Sequence, residues 1–350
     1  MIKCSESNIR KVYLMMGFAC NFQCRYCLQT GEHRPGDKTV PVIQEKVWRY
    51  LERLIKCRNS ETGKLRIMFW GGEPLLYKDI IRQVVERFQD RADYGLVTNG
   101  ALIDEDFVAF ANDHDIAVSV SHDGPETSHT RGCDIWKEDR FRSLFAKLKH
   151  KGINGVLSAY NYDFLKTDSM YPVGTYVGQE RLVVNWGIPD DICRVPGAEY
   201  TAALKRTANK AYQDILSGNL TNAASFFLPV LKRIVYQDPE YKSVPTCGQF
   251  YRVMNIDLAG NVYVCHNSSV KIGTVDDLRI RLAQRYEAFL SSRRQAICEE
   301  CPYMPLCHGG CPLELTGKAV SCQWRKAYFA TAVNLAERLI NSYEPIDLEV

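Results

Sequence analysis

The chain has 350 residues, of which 46% are apolar and 24% charged, as in an ordinary globular protein. Its formal net charge of +3 is close to balanced, so composition predicts no nucleic-acid partner. The first residues contain no apolar signal-peptide segment, and no apolar run approaches the roughly 20 residues of a membrane span. We therefore expect a cytoplasmic protein with no membrane partner.

The first half of the chain alternates between apolar runs that predict strands and amphipathic segments that predict helices. The predicted strands are residues 11–16, 65–70, 94–98, 116–121, 153–159 and 181–186. The predicted helices are residues 41–57, 76–90, 103–113 and 138–150, and residues 160–180 are predicted to be irregular. This alternation favours an α/β fold with a parallel sheet, either open or curved into a partial barrel.

The pattern changes after residue 197. Two helices are predicted at residues 202–216 and 223–236, followed by a hairpin at 254–265 that turns at Ala259-Gly260-Asn261 and by a last helix at 323–342. We divide the chain into a catalytic domain over residues 1–195, a helical region over 196–246 and a cysteine-rich domain with the C-terminal helix over 247–350.

The chain contains 14 cysteines, most of them clustered. In a cytoplasmic protein, clustered cysteines favour metal ligands over disulfides. The first cluster, Cys20-x3-Cys24-x2-Cys27, directly follows the first predicted strand. Three thiolates can hold three irons of a [4Fe–4S] cluster and leave the fourth iron open. The alternative is a zinc site completed by His33, because structural zinc prefers four protein ligands.

Three further segments each follow a predicted strand. They are Gly71-Gly72-Glu73-Pro74, Thr98-Asn99-Gly100 and Ser121-His122-Asp123-Gly124-Pro125. Together with the first cysteine cluster and the aromatic Tyr26 before its last cysteine, they resemble the radical S-adenosylmethionine (SAM) superfamily in content and order. The sites of α/β folds lie at these strand ends.

The resemblance implies a partial (β/α)6 TIM-type barrel in which SAM chelates the open iron of the Cys20, Cys24 and Cys27 cluster. Glycine allows close backbone approach to a ligand, and Glu73 can pair with the SAM ammonium. The implied cofactor-binding residues are Tyr26, Gly71, Gly72, Glu73, Pro74, Asn99, Ser121 and Asp123. Ser158 and Asn161 either approach the SAM ribose as well or cap the end of the fifth strand.

The second cysteine set is Cys247-x12-Gly260-x4-Cys265, then Cys298-x2-Cys301-x5-Cys307-x3-Cys311, then Cys322. The short spacings also suit a treble-clef zinc site. The whole array, with its Cys307-His308-Gly309-Gly310-Cys311-Pro312 segment, resembles the SPASM domain. That resemblance implies two auxiliary [4Fe–4S] clusters, and three clusters in the chain.

Family connectivity implies an outer cluster on Cys298, Cys301, Cys307 and Cys322. The inner cluster would have Cys247, Cys265 and Cys311, which leaves it one thiolate short. Either Cys193 or a group of the substrate would supply the fourth ligand.

His266 follows Cys265 at the position where sulfatase maturases, which belong to this family, carry a catalytic aspartate. A histidine there can act as a base. The alternative is an exposed histidine in a turn. His266 is thus a candidate catalytic residue, and its presence disfavours sulfatase maturation.

The resemblance implies an oxygen-sensitive oxidoreductase. A flavodoxin or ferredoxin would supply an electron, SAM would be cleaved to a 5′-deoxyadenosyl radical, and the radical would abstract a hydrogen from a peptide or protein. The first hypothesis is maturation of a ribosomal peptide by a thioether or other cross-link. The alternatives are sulfatase-type oxidation, and dehydrogenation or epimerisation of a small molecule or peptide. The first predicted strand begins near residue 11. We therefore expect the leader segment of a precursor peptide to be recognised by a separate protein, by the barrel itself, or not at all.

Overall fold

A computed structural model of the chain describes residues 6–29, 42–180, 188–235, 249–292, 298–314 and 318–342. These residues belong to two compact units. The first unit comprises residues 1–121, 131–152 and 249–292, and the second comprises residues 122–130, 153–248 and 293–350. Residues 249–292 therefore group with the first strands of the chain, although the sequence division places them in the cysteine-rich domain.

The strands follow the predicted α/β alternation. They are β1 Lys11–Met15, β2 Leu65–Trp70, β3 Ala92–Thr98, β4 Ala117–Ser121, β5 Lys151–Val156, β6 Tyr176–Glu180, β7 Val253–Asp257, β8 Asn261–Tyr263 and β9 Lys271–Thr274. In the first unit their order is β4-β3-β2-β1-β7-β8-β9. Strands β1 to β4 are mutually parallel, which confirms the parallel sheet predicted from the sequence.

The described residues also form α-helices that alternate with the strands. They are α1 Glu45–Lys56, α2 Lys78–Phe88, α3 Glu105–Asp113, α4 Thr127–Arg131, α5 Asp139–Lys147, α6 Phe164–Asp168, α7 Asp190–Cys193, α8 Gly197–Leu216, α9 Asn222–Val235, α10 Arg279–Ser291, α11 Met304–Cys307 and α12 Lys318–Ile340. Within this described part of the chain, no helix has the length and apolar character needed to cross a bilayer.

The predicted hairpin is present as β7 and β8, which pair antiparallel with Asn255 opposite Tyr263. Its turn contains Gly260 at φ +79°, a conformation that favours glycine. Strand β7 also pairs in parallel with β1, with Lys11 opposite Val253. The hairpin thus extends the sheet beyond β1, a contact that the sequence did not predict.

The two faces of the sheet differ in burial. Along β2, the side chains of Leu65, Ile67 and Phe69 are fully buried, whereas alternate positions such as Trp70 are only half-buried. The amphipathic helices supply matching apolar surfaces, and Trp48 of α1 packs against Phe88 of α2 with ring centres 5.9 Å apart. Because successive side chains of a strand point to opposite faces, one face of β2 is fully buried and the other face carries side chains that are not.

The second unit contains a helical layer of α8, α9 and α12. The Tyr328 hydroxyl of α12 donates to the Phe226 carbonyl of α9 at 2.8 Å, and the Tyr328 ring stacks on Phe227 at 5.5 Å. Arg338 of α12 donates to Asn209 of α8 at 2.8 Å. The helices predicted at 202–216, 223–236 and 323–342 are therefore confirmed, with α8 and α12 each starting five residues earlier.

Residues 160–180 are not irregular, contrary to the sequence prediction. They contain α6, capped by the Asp163 side chain, which accepts from the Lys166 amide, and they contain β6. A helix of five residues is too short for a visible period, and polar residues with Gly178 hide the strand pattern of β6. The sixth predicted strand, residues 181–186, lies outside the described residues, as do His33 and Cys247.

Candidate active site

The loops that follow the parallel strands of the first unit carry the motifs singled out in the sequence. The strands are in register, with Met15 opposite Trp70 and Thr98 opposite Val120. The carboxyl ends of β1 to β4 therefore meet at one edge of the sheet. This edge brings together the cysteine loop after β1, the Gly71–Pro74 segment after β2, Asn99 after β3 and Ser121 at the end of β4.

The Gly71–Pro74 segment is bound to the start of the cysteine loop by its backbone. The Gly72 amide donates to the Gly17 carbonyl at 2.9 Å, and the Glu73 amide donates to the Ala19 carbonyl at 2.8 Å. A Cβ on Gly72 would lie 2.3 Å from the Ala19 oxygen, and one on Gly71 would lie 2.3 Å from the Gly17 oxygen. In the structure, the backbone of the cysteine loop lies so close to Gly71 and Gly72 that neither position has room for a side chain.

The Glu73 carboxylate joins the ends of β2 and β3. It is 1% exposed and accepts hydrogen bonds from the Leu75 amide at 2.9 Å, the Thr98 hydroxyl at 2.6 Å and the Asn99 amide at 2.7 Å. Burial raises the pKa of Glu73, and the three hydrogen bonds oppose this rise in part. The three donors therefore fix the position of the Glu73 carboxyl group beside the cysteine loop.

The cysteine loop is also held from β3. Asn99 donates from Nδ2 to Asn21 Oδ1 at 2.6 Å, and the same nitrogen lies 4.0 Å from the Cys20 sulfur. The Cys20 sulfur accepts from the Phe22 amide at 3.4 Å, and burial raises the pKa of its thiol. Cys20, Cys24 and Cys27 are all half-buried. Backbone N–H groups directed at cysteine sulfur are one means by which proteins tune a cluster.

Tyr26 is 7% exposed, and the Arg131 guanidinium lies over its ring at 5.4 Å from the ring centre. Arg131 is itself 8% exposed. The sequence reasoning missed this buried arginine because it lies in no motif and is the last residue of the short, polar helix α4. Its charge is the one feature by which the sequence could have indicated it, because a buried arginine needs partners.

Asp123, Ser158 and Asn161 lie in the second unit and have partners there. The Asp123 carboxylate accepts from the Thr130 hydroxyl and from the Val156 amide at 2.8 Å. Asn161 Oδ1 accepts from the Ser158 amide at 2.7 Å and from its hydroxyl at 3.1 Å. For Ser158 and Asn161 this is the geometry of strand-end capping, one of the two alternatives predicted for this pair.

The C-terminal cysteines of the second unit surround a tight reversal of the chain. His308, Gly309 and Gly310 all have positive φ, at +52°, +82° and +75°. A Cβ on Gly309 would lie 3.9 Å from the Cys298 sulfur. Cys298, Cys301, Cys307, Cys311 and Cys322 are half-buried. The Cys307-His308-Gly309-Gly310-Cys311 segment therefore folds back next to Cys298.

Among the described residues, no three His, Cys, Asp or Glu side chains are close enough to bind one metal ion together. Assignment of iron–sulfur ligands thus rests on cysteine spacing and family resemblance. Cys193, at the end of α7, is buried, and burial followed by the charges of Asp190 and Asp191 raises the pKa of its thiol to about 11. Cys193 stays a candidate ligand.

His266 lies in a turn but is not exposed, which corrects the alternative predicted for it. Its ring stacks on Tyr13 at 4.0 Å and meets the edge of Trp70 at 4.5 Å between ring centres. Although part of its surface stays accessible, its enclosed position, with a contribution from the Lys11 charge, lowers the pKa of His266 to about 3. Both aromatic partners lie on the half-buried side of the sheet. Because they are far from His266 in the chain, the sequence around His266 does not predict this packing.

Comparison with known proteins places this geometry in a family. Residues 14–170 match the Radical SAM superfamily. The radical SAM cyclopropyl synthase TigE of Paramaledivibacter caminithermalis is 25% identical over 334 residues, covering 87% of this chain and 68% of that protein. The cysteine-type anaerobic sulfatase-maturating enzyme of Clostridium perfringens strain 13 is 26% identical over 380 residues, covering 92% and 95% of the two chains.

Solved structures share the fold. Native anSMEcpe with bound AdoMet matches with a TM-score of 0.70 at 22% identity, covering 94% of this chain and 99% of that one. Streptococcus suis SuiB bound to S-adenosylmethionine matches with a TM-score of 0.61 at 16% identity, covering 87% and 73%. These similarities confirm the predicted α/β fold with a cysteine-rich C-terminal region.

Residues 14–170 therefore resemble a radical SAM domain, and this similarity indicates that the chain is an enzyme. More narrowly, its relatives and its fold agree with the SPASM subgroup. Similarity to this superfamily implies SAM and one [4Fe–4S] cluster as cofactors. The residues of the first unit fit this pair, because three half-buried cysteines on one short loop lie beside a buried carboxylate.

Proposed function

We propose that this enzyme modifies a ribosomally made peptide or protein, by forming a thioether or another cross-link on a side chain. The observation that carries the proposal is the ordered cysteine array from Cys247 to Cys322 behind a radical SAM domain. A radical SAM enzyme needs one cluster for SAM, so we assign the second cysteine array to chemistry on the substrate. A relative named as a sulfatase-maturating enzyme and another named as a radical SAM cyclopropyl synthase match most of the chain.

In this proposal, Cys20, Cys24 and Cys27 hold the cluster that binds SAM. When bound, these cofactors supply a 5′-deoxyadenosyl radical that abstracts a hydrogen atom from the substrate. The protein's part is to fix the cysteine loop, through the Gly72 and Glu73 amides, and to hold a negative charge for the SAM ammonium at Glu73. Tyr26, Asn99 and Ser121 complete the cofactor surface of the first unit.

The auxiliary clusters would use the remaining cysteines. Cys298, Cys301, Cys307 and Cys322 hold the outer cluster, while Cys247, Cys265 and Cys311 hold the inner one. The Cys265 sulfur accepts from the Asn267 amide at 3.4 Å, the same i+2 arrangement found at Cys20. The fourth inner ligand is a substrate group or Cys193. An open iron would suit a substrate cysteine thiolate, which is the reacting group in thioether formation.

The peptide character of the substrate is supported by related structures. SuiB has been solved bound to its precursor peptide SuiA, and anSMEcpe has been solved with bound AdoMet and a Cp18Cys peptide. We infer that the present enzyme takes a peptide and receives its electron from a flavodoxin or ferredoxin.

A second candidate function is oxidation of a sulfatase cysteine. It is favoured by the match to a cysteine-type sulfatase-maturating enzyme over 92% of this chain. It is disfavoured by His266, which occupies the position of the aspartate expected in that family, and by its stacking between Tyr13 and Trp70.

Anaerobic reconstitution with iron, sulfide and SAM, followed by mass spectrometry of candidate peptides, separates these functions. A cross-link removes two hydrogens and keeps the sulfur, whereas sulfatase-type oxidation converts the cysteine CH2–SH group to an aldehyde, which replaces sulfur with oxygen and also removes two hydrogens. Epimerisation leaves the mass unchanged but introduces deuterium from heavy water. We expect loss of two hydrogens from a cysteine-containing precursor. Sulfur loss from a sulfatase peptide, with precursors left unmodified, would contradict the proposal.

A further inference from the structure

A buried ion pair lies among the C-terminal cysteines of the second unit. Arg325 donates from Nη2 to Glu314 Oε2 at 2.6 Å, and the two side chains are 6% and 0% exposed. A guanidinium carries five N–H donors. In the structure, the Arg325 Nε and Nη1 atoms are buried and have no hydrogen-bond partner among the described residues. A single carboxylate thus uses only part of the hydrogen-bonding capacity of this side chain.

Buried donors without acceptors are costly, and buried cations need compensating charge. The surroundings of Arg325 suggest what would accept its free donors. Arg325 lies one helical turn after Cys322 in α12, so both side chains share a helix face. Burial alone would lower the pKa of the Arg325 guanidinium, but Glu314, Cys307 and Cys322 raise it overall. The groups around it that carry or can take negative charge are therefore this carboxylate and these two thiols.

The backbone of the cysteine segment is fitted to the guanidinium. Gly310 has φ +75°, and a Cβ on it would lie 2.2 Å from Arg325 Nη1. Gly309 has a similar φ of +82°, but a Cβ there would find its nearest neighbours at 3.9 Å. Of the two glycines, only Gly310 makes room for Arg325. The second glycine of the segment therefore has a specific partner, which the sequence motif does not reveal.

We propose that Arg325 is a positioning residue for the outer auxiliary cluster, donating from Nε and Nη1 to sulfur atoms of the cluster on Cys298, Cys301, Cys307 and Cys322. This inference rests on the proposed auxiliary cluster. Hydrogen bonds to sulfur and the net charge around a cluster set its reduction potential. A cation and two N–H donors stabilise the more negative, reduced cluster, so Arg325 raises the potential, while Glu314 limits that rise.

The test is a redox titration of the anaerobically reconstituted full chain, followed by electron paramagnetic resonance. Arg325→Gln alone would remove the cation that pairs with the buried Glu314 carboxylate, so the informative comparison is Glu314→Gln against the double variant Glu314→Gln/Arg325→Gln. We expect a more negative potential for the outer cluster in the double variant, with the SAM-binding cluster unmoved as an internal reference. Lys326→Gln, an exposed cation next to Arg325, is the matched control and should change nothing.

A second pair tests the same contact without changing charge. Gly310→Ala should shift the potential in the same direction because it displaces the guanidinium, whereas Gly309→Ala should not, although both carry similar backbone strain. Arg325→Lys keeps the charge and should show a smaller shift than the glutamine variant. Equal outer-cluster potentials in Glu314→Gln and the double variant would overturn the inference.

The existence of the outer cluster is checked separately. Replacing Cys298 and Cys322 with alanine should lower the iron content by about four atoms per chain, the content of one cubane cluster. If iron is unchanged, the proposed auxiliary cluster fails and the inference fails with it. If iron falls but the potential is insensitive to Arg325, only the inference about Arg325 is wrong.

Discussion

The Thr98 hydroxyl donates a 2.6 Å hydrogen bond to Oε1 of the buried Glu73 carboxylate, and this contact joins the ends of two parallel strands. The backbone of Glu73 in turn donates to Ala19, the residue before the first cysteine of the loop. One residue therefore connects β2, β3 and the cysteine loop. Its carboxylate therefore stabilises the local structure, in addition to making the SAM contact implied by the family resemblance.

Glu73→Gln should weaken this connection. The glutamine amide would face hydrogen-bond donors with an N–H group of its own, leaving a buried donor without an acceptor. We expect the free energy of unfolding to fall by about 1–3 kcal/mol, together with a lower affinity for SAM. Anaerobic denaturant unfolding and equilibrium SAM binding measure the two effects.

The matched control is Glu86→Gln, which makes the same chemical change at an exposed position of α2. It should leave stability and SAM binding as in the unaltered enzyme. If Glu73→Gln behaved like this control, the three hydrogen bonds to Glu73 would have no role in holding the site.

Gly72→Ala should dislodge the cysteine loop. Its Cβ would approach the Ala19 oxygen to 2.3 Å and the Phe18 oxygen to 2.5 Å, and both are backbone atoms that cannot move independently of the loop. We expect loss of about four iron atoms per chain and loss of SAM cleavage, measured by iron analysis and by 5′-deoxyadenosine release.

Gly197→Ala provides the comparison, because a Cβ at Gly197 has no neighbour within 4 Å and the backbone there has ordinary geometry. This variant should keep its iron and its activity. A Gly72→Ala enzyme with full iron content would show that the loop tolerates the displacement, and would reject a packing requirement at Gly72.

Much of the fold follows from local sequence signals. Apolar runs of five or six residues predicted β1 to β4, because buried strands need continuous or alternating apolar side chains. The parallel pairing of Lys11 with Val253 could not be predicted, since these residues are far apart in the chain and no local pattern encodes their contact. The same holds for His266 against Tyr13 and Trp70.

The candidate site shows the same limit. Spacing alone identified the cysteine loop, Gly71–Pro74 and the C-terminal array, since these motifs are continuous in sequence. The roles of individual side chains depended on three-dimensional neighbours. Gly72 faces the cysteine loop, and Ser158 and Asn161 bind each other. Arg325 was not recognised because its partners, Glu314 and Gly310, lie on another segment.

His266→Phe should retain catalysis if the ring serves to pack. A phenyl ring can keep the 4.0 Å stacking on Tyr13 and the edge contact to Trp70. We expect SAM cleavage and product formation within about threefold of the unaltered enzyme, because general acid–base roles are worth a far larger factor of about 10²–10⁴. Product yield per 5′-deoxyadenosine is the measurement.

His266→Ala is the companion variant. It opens a gap beside Tyr13 and should lower the free energy of unfolding by about 1–3 kcal/mol without a specific loss of product. A large fall in product with unchanged SAM cleavage in His266→Phe would instead identify His266 as the proton acceptor.

The central claim is that Cys20, Cys24 and Cys27 hold the cluster that cleaves SAM. The direct measurement is 5′-deoxyadenosine formation by the anaerobically reconstituted and reduced enzyme, compared with single alanine variants of these three cysteines and of the exposed Cys57 and Cys133. We predict formation by the unaltered enzyme and by the Cys57 and Cys133 variants, and none by the other three. Persistent formation after loss of any of Cys20, Cys24 or Cys27, or none from the iron-loaded unaltered enzyme, would contradict the account.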